Sequence, residues 1–139
     1  MVKEIARFCE SIPDYDIWMN PSIIIVEDDP FTASLLAFIF KREQYEVTVL
    51  EDGQAAWQHF QISDPTQFVL LDIMLPHVNG LELLHRLKGL KDWAQSKVVI
   101  LSAKDQISDI EKAFRLGADD YLTKPFDPQE LMARVQRYH

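Results

Sequence analysis

The chain has 139 residues, with 14 basic and 22 acidic side chains for a formal net charge of −8, and 47% of it is hydrophobic; this describes one soluble domain able to bury a core without metal or disulfide support. The acid excess argues against gripping a nucleic-acid backbone, which needs clustered Lys and Arg, and disfavours an anionic membrane surface. The single cysteine, Cys9, rules out an internal bridge and points to a reducing, cytoplasmic compartment.

Residues 1–20 stand apart from the rest of the chain. Val2, Ile5, Phe8, Cys9 and Ile12 recur at helical spacing, Pro13 stops the pattern, and residues 14–20 read as a connector. A helical extension is expected, packing its stripe on the domain, on a twin, or on a partner. Lys3, Glu4 and Arg7 interrupt this segment, so no signal peptide is expected.

From residue 21 to 139 short apolar runs alternate with longer stretches whose apolar residues recur every three or four positions. Residues 22–26, 47–50, 68–71, 98–101 and 121–122 read as strands, and four of them lack polar alternation, as a parallel sheet covered on both faces requires. Val47, Thr48 and Val49 alternate, as an edge strand does. The first helix is bracketed by Leu35, Ile39 and Arg42, and the apolar stretch over 31–40, broken by Thr32 and Ser34, is too short to span a membrane. Ala55, Ala56, Trp57 and Phe60 mark the second helix, and Leu81, Leu84, Leu87 and Lys88 the third. Ile107, Ile110 and Phe114 form the stripe of the fourth; Leu131, Val135 and Tyr138 that of the fifth. Asp52-Gly53 and Asn79-Gly80 start helices, Gly117 ends one, and Pro128 suits a first turn. Five strands each followed by a helix make a doubly wound α/β domain.

In such sheets the functional crevice lies beyond the carboxyl ends of the strands. Strand one ends in Glu27, Asp28 and Asp29, strand three in Asp72, strand four in Ser102, and strand five leads to Thr123, Lys124 and Pro125. Clustered carboxylates with one ammonium and one hydroxyl suit a divalent cation, and hard oxygen ligands with waters select Mg²⁺. Asp72 is a carboxylate able to attack phosphorus; metal held by Asp28 and Asp72 would neutralise charge on the transferred phosphoryl oxygens. Lys124 would supply a further positive charge and Ser102 a hydrogen bond. The clustered like charges are expected to raise at least one carboxyl pKa. Singly, Asp28 or Asp29 could cap a helix, Asp72 be a loop acid and Lys124 a solvated lysine; their joint occurrence at strand ends favours a site. Asp29 itself reads as a solvated residue at a helix start.

Val26-Glu27-Asp28-Asp29, Leu71-Asp72-Ile73-Met74-Leu75-Pro76 with Gly80, Leu101-Ser102-Ala103, and Gly117-Ala118-Asp119-Asp120-Tyr121-Leu122-Thr123-Lys124-Pro125-Phe126 together resemble the receiver domain of bacterial two-component response regulators. The resemblance covers residues 22–138. It implies a flavodoxin-like (βα)5 parallel sheet in the order 2-1-3-4-5, and a phosphorelay function in which Asp72 accepts a phosphoryl group from a histidine kinase or histidine phosphotransfer protein. It further implies Mg²⁺, or Mn²⁺, bound by Asp28, Asp72 and the Met74 carbonyl, with Glu27 acting through water. Ser102 would be the switch hydroxyl, Tyr121 the switch aromatic, turning from exposed to buried on phosphorylation, and Lys124 the phosphate-sensing lysine. Beyond self-phosphorylation and self-dephosphorylation at Asp72 no enzyme activity is expected, nor direct nucleic-acid or membrane binding. Lys112, Asp120, Glu130 and Arg134 match positions that pair across a two-fold dimer of the fourth helix, fifth strand and fifth helix in receivers joined to winged-helix domains. The chain ends at His139, about where the fifth helix should, so no output domain is expected.

Two other classes fit less well. A haloacid-dehalogenase-type phosphatase wants a second Asp two residues after the first, where Met74 stands. A flavodoxin-like cofactor module needs a phosphate-cradling first loop, where Glu27-Asp28-Asp29-Pro30 stands. His59, His77, His85 and His139 have no spacing that would set two on one metal, and Trp57 and Trp93 read as packing residues.

Overall fold

The computed structural model describes residues 20–138; the expected helical extension, apart from Asn20, lies outside them. Five runs rich in Ile, Val and Leu form β1 (Ser22–Val26), β2 (Glu46–Leu50), β3 (Phe68–Leu71), β4 (Lys97–Ser102) and β5 (Asp120–Thr123). They pair in parallel in the order β2-β1-β3-β4-β5, as expected. The helices are α1 (Pro30–Arg42), α2 (Gly53–Ile62), α3 (Gly80–Lys88), α4 (Ile107–Arg115) and α5 (Pro128–Gln136), with a 3₁₀ turn at Lys91–Trp93.

Alternation along each strand sends side chains to two cores. Ile24, Val26, Val69, Leu71, Val98 and Ile100 face α2, α3 and α4, meeting Phe60, Leu84, Trp93 and Ala113. Ile23, Ile25, Phe68, Leu70, Val99 and Leu101 face α1 and α5, meeting Leu36, Phe40, Leu131 and Val135. Trp93, fully buried, donates its Nε1 hydrogen to the Phe60 carbonyl at 3.0 Å. Four of the five helix starts carry side-chain caps, at Asp29, Asp52, Asn79 and Asp127, each accepting a backbone N–H of the first turn, while α4 starts at Gln106 without one. Gly117 follows α4 at φ +111°, a backbone shape that glycine takes at little cost.

Two helix faces differ from the expected ones. On α1 the buried residues are Ala33, Leu36, Ile39 and Phe40, while Leu35 is exposed; this helix is apolar on two sides, so its periodicity has two readings. On α4 only Ala113 is buried, and Ile107 and Phe114 face solvent. A small residue lets that helix sit close to its neighbours, leaving the larger side chains at its flanks. In β2, an edge strand as expected, Val49 is exposed rather than covered, because the α1 residues beside it, Ala33, Ser34 and Ala37, are small and leave a groove.

At the far end from the strand tips, Tyr45 packs edge-on against Phe40 with ring centroids 5.1 Å apart and lies 6.2 Å from Phe68. Burial, with the nearby Glu43 charge, pushes its hydroxyl up from 10.0 to about 12. The folded state therefore holds the proton more tightly than the unfolded chain. The resulting stability is complete below pH 10 and is lost as pH rises toward 12. Denaturant titrations at rising alkaline pH should show the wild type losing stability more steeply than Tyr45→Phe, the two curves converging in slope at neutral pH.

Candidate functional site

The parallel ladder continues past the strand ends and sets the site. Glu27 N–H donates to Leu50 O at 3.0 Å, Asp72 N–H to Val26 O at 3.2 Å, and Lys124 N–H to Ser102 O at 2.9 Å. Backbone pairing thus brings one acid from β1, one from β3 and the lysine after β5 to a common edge. Glu27 is 3% and Asp72 5% exposed, whereas Asp28 faces solvent. The carboxylate oxygens of Glu27, Asp28 and Asp72 lie within 4.8 Å of one another.

Lys124 Nζ joins the two buried acids, donating to Glu27 Oε1 at 2.7 Å and to Asp72 Oδ2 at 2.9 Å. The remaining oxygens are held by backbone: Glu27 Oε2 accepts from Asp29 N–H at 3.2 Å, and Asp72 Oδ1 from Met74 N–H at 2.9 Å. Burial raises the Glu27 carboxyl above its ordinary value despite the lysine, and the Asp72 charge adds a smaller push in the same direction. The expected upward shift is therefore present, but burial more than like charge causes it. Burial alone would lower Lys124; its bonds to Glu27 and Asp72 outweigh that and hold it protonated. Asp29 is turned away toward Thr32, whose N–H and hydroxyl it accepts, and these bonds keep its carboxyl low. Three convergent carboxylates, one open to water, are a donor set that fits Mg²⁺.

Ser102 is fully buried at the end of β4, its Oγ accepting from Lys104 N–H at 3.3 Å. Tyr121 differs from expectation: its ring is already buried, packed in the core that includes Ile100 and Ala113, and its hydroxyl donates to Lys104 O at 2.7 Å. Burial raises that hydroxyl, with Asp109 and Asp72 adding to the effect. Lys104 is thus tied by its backbone to both Ser102 and Tyr121, a role its exposed side chain does not announce.

Three of the four residues expected at a dimer interface meet within one chain. Arg134 donates to Asp120 Oδ1 at 2.9 Å and to Glu130 Oε2 at 3.2 Å, and Arg137 donates to Asp120 Oδ2 at 2.8 Å. Asp120 is buried rather than solvated. Arg137 belongs to none of the sequence motifs, although its spacing of three from Arg134 puts both on one helix face. Lys112 lies elsewhere, on the exposed side of α4, lining a groove with Asn79, Leu81, Glu82, His85 and Leu116. Among the described residues no histidine joins the acidic cluster; His77 and His85 are exposed, and His59 Nδ1 lies 3.3 Å from the Ser63 hydroxyl. Trp57 packs beside the core with the Arg86 guanidinium 5.5 Å over its ring.

The family model for the response regulator receiver domain matches residues 23–136. Over 118 residues the chain is 37% identical to the response regulator GtcR of Aneurinibacillus migulanus, covering 85% of this chain and 47% of that protein. It is 39% identical over 115 residues to the sensory transduction protein RegX3 of Mycobacterium tuberculosis, covering 83% and 49%. The chain spans about half the length of these curated relatives. Among solved structures, the BeF3-activated receiver domain of Klebsiella pneumoniae RstA superposes with a TM-score of 0.77 at 32% identity, covering 84% of this chain and 97% of that one. The receiver domain of the sensor histidine kinase PA1611 of Pseudomonas aeruginosa, solved with a magnesium ion in its active-site cleft, gives a TM-score of 0.78 at 26% identity, covering 86% and 97%.

The loop after Asp72 closes where Gly80 N–H donates to Ile73 O at 2.9 Å. A Cβ at Gly80 would collide with the Asp72 carbonyl oxygen and lie 2.5 Å from Ile73 Cα, both backbone atoms with nowhere to go. Gly80→Ala should therefore destabilise the domain by about 1 to 3 kcal/mol, as overpacking does, although alanine is the better helix former. A lowered denaturant midpoint at unchanged slope is the expected result; a raised midpoint would contradict this account of the loop.

Proposed function

Because this chain belongs to the response regulator receiver domain family, we propose that Asp72 accepts a phosphoryl group from a histidine kinase or a histidine phosphotransfer protein. The observation that supports this most directly is the buried Asp72 carboxylate, oriented by Met74 N–H and Lys124 within a cluster of three acids. One Asp72 oxygen forms a bond to phosphorus as the phosphorus–nitrogen bond of the donor breaks, and the donor imidazole leaves as it takes up a proton. Asp28, Asp72 and the Met74 carbonyl would hold Mg²⁺ or Mn²⁺, with Glu27 acting through water. Bound there, the cation supplies charge neutralisation on the phosphoryl oxygens. Lys124 already touches Asp72, so it is placed to follow the incoming negative charge. No further catalytic turnover is assigned beyond self-phosphorylation and self-dephosphorylation.

The switch runs through Lys104. A phosphoryl group on Asp72 offers Ser102 Oγ–H a new acceptor, and the loop that Ser102 and Tyr121 both hold then moves with it. The affected surface is that of α4, β5 and α5, where two copies associate in two-fold symmetry through Lys112, Asp120, Glu130 and Arg134. Arg137 keeps hold of Asp120 while Arg134 exchanges its partner, so no buried carboxylate is left bare. Among the described residues no helix is long and apolar enough to cross a membrane. We assign the domain to the cytoplasm, and its acid excess disfavours direct binding to nucleic acid or an anionic membrane.

Incubation with acetyl phosphate and Mg²⁺ should add one phosphoryl group by intact mass, and Asp72→Asn should add none; incorporation unchanged in that variant would sink the assignment. Asp28→Ala should slow uptake and remove the stabilisation that Mg²⁺ confers on the wild type.

The assembly is tested at Lys112, which is exposed and outside the Asp120 cluster. Sedimentation in beryllofluoride should show a dimer that Lys112→Glu weakens. A protein that stays monomeric when activated refutes the interface.

A further inference from the structure

Opposite its buried side, α1 carries a second apolar row. Phe31 is 79% exposed, Leu35 40% and Phe38 61%, and their spacing of four and three sets them in one stripe along the helix. The Arg42 guanidinium lies 5.8 Å over the Phe38 ring and closes the row at its carboxyl end. Isolated apolar residues on a surface are ordinary, but a contiguous row of this kind marks a docking surface.

We propose that residues 2–12 of this same chain cover the row as a helix. The described chain starts beside it: Glu46 N–H donates to Pro21 O at 2.8 Å, so the N-terminal segment departs at the turn that joins the end of α1 to β2. Val2, Ile5, Phe8, Cys9 and Ile12 supply a complementary stripe. The eight residues from 13 to 20 reach at most about 29 Å when extended, and the 13-residue α1 is about 20 Å long. The connector can therefore place residue 12 near Phe38 and residue 2 near Phe31. The connector carries Asp14 and Asp16, opposite in charge to Lys41 and Arg42, which are exposed in the last turn of α1. A helix this short is marginal alone in water, so the stripe would be what orders it. This proposal does not depend on the role of Asp72.

Cys9, the single cysteine of the chain, makes the test direct. In the 139-residue chain Leu35→Cys adds a second thiol on the row, and Ile62→Cys adds one on the far side of the sheet, at the exposed end of α2. Both positions are solvent-facing, and circular dichroism checks that each variant folds. Under mild oxidation at low protein concentration, the intramolecular disulfide should form about tenfold faster in Leu35→Cys than in Ile62→Cys, because docking raises the effective concentration of the thiol. Adding Phe8→Asp should bring the faster rate down to the slower one. Equal rates at the two positions, or no disulfide at either, overturn the proposal. A disulfide-linked dimer as the main product also overturns it, assigning the row to a second copy.

Discussion

Two carboxylates shut away from water at the same edge of a sheet are tolerated because one ammonium stands between them. Glu27 and Asp72 share Lys124 Nζ at 2.7 and 2.9 Å, and the remaining oxygen of each finds a backbone N–H. Burying a charge is costly unless it is paired and hydrogen-bonded on every side, so each member of this trio constrains the others. The backbone ladder holds the trio together, since each member is the first residue past, or the residue just after, a strand whose pairing continues to it. The register of the sheet and the chemistry of its edge are in this sense one constraint.

That link explains why so much of the site is legible in the sequence. Strands are visible as runs of branched apolar residues, and once their ends are placed, the acids, Ser102 and Lys124 follow as the residues at those ends. The order of the strands comes from motif resemblance, since apolar runs alone carry no information on neighbours. Which face of α1 is inward is not legible, because Phe31, Leu35 and Phe38 compete with Ala33, Leu36 and Phe40 at the same period. On α4 the burial of Ala113 over Ile107 and Phe114 depends on how closely the helix approaches its neighbours, a tertiary quantity. Gly80 is visible as part of a motif, but its reason, a collision with the backbone at Asp72, needs coordinates.

The charged residues of α5 show a similar division between local and tertiary information. Glu130, Arg134 and Arg137 lie close together in the chain and share a helix face by spacing alone. That Asp120 is buried beneath both arginines comes only from the packing of α5 beside β5. Matching those positions to an intermolecular pattern therefore overlooks a network that the chain first satisfies within itself. Exposed ion pairs contribute little, but here the carboxylate is buried and both arginines answer to it.

The two arginines on Asp120 also decide how the domain carries load. β5 is riveted to α5 at its beginning and bears Lys124 just beyond its end, so it behaves as a short strut with one fixed foot. A change of charge at Lys124 therefore acts on a strand whose start stays tied to α5 through Arg137. The loop after Ser102, residues 103–106, is tied back to Ser102 and Tyr121 through the Lys104 backbone, and α4 beyond it fully buries Ala113. Of the five helices α4 buries the fewest side chains, so it has the least packing to lose by moving, and the loop that leads to it begins one residue after Ser102.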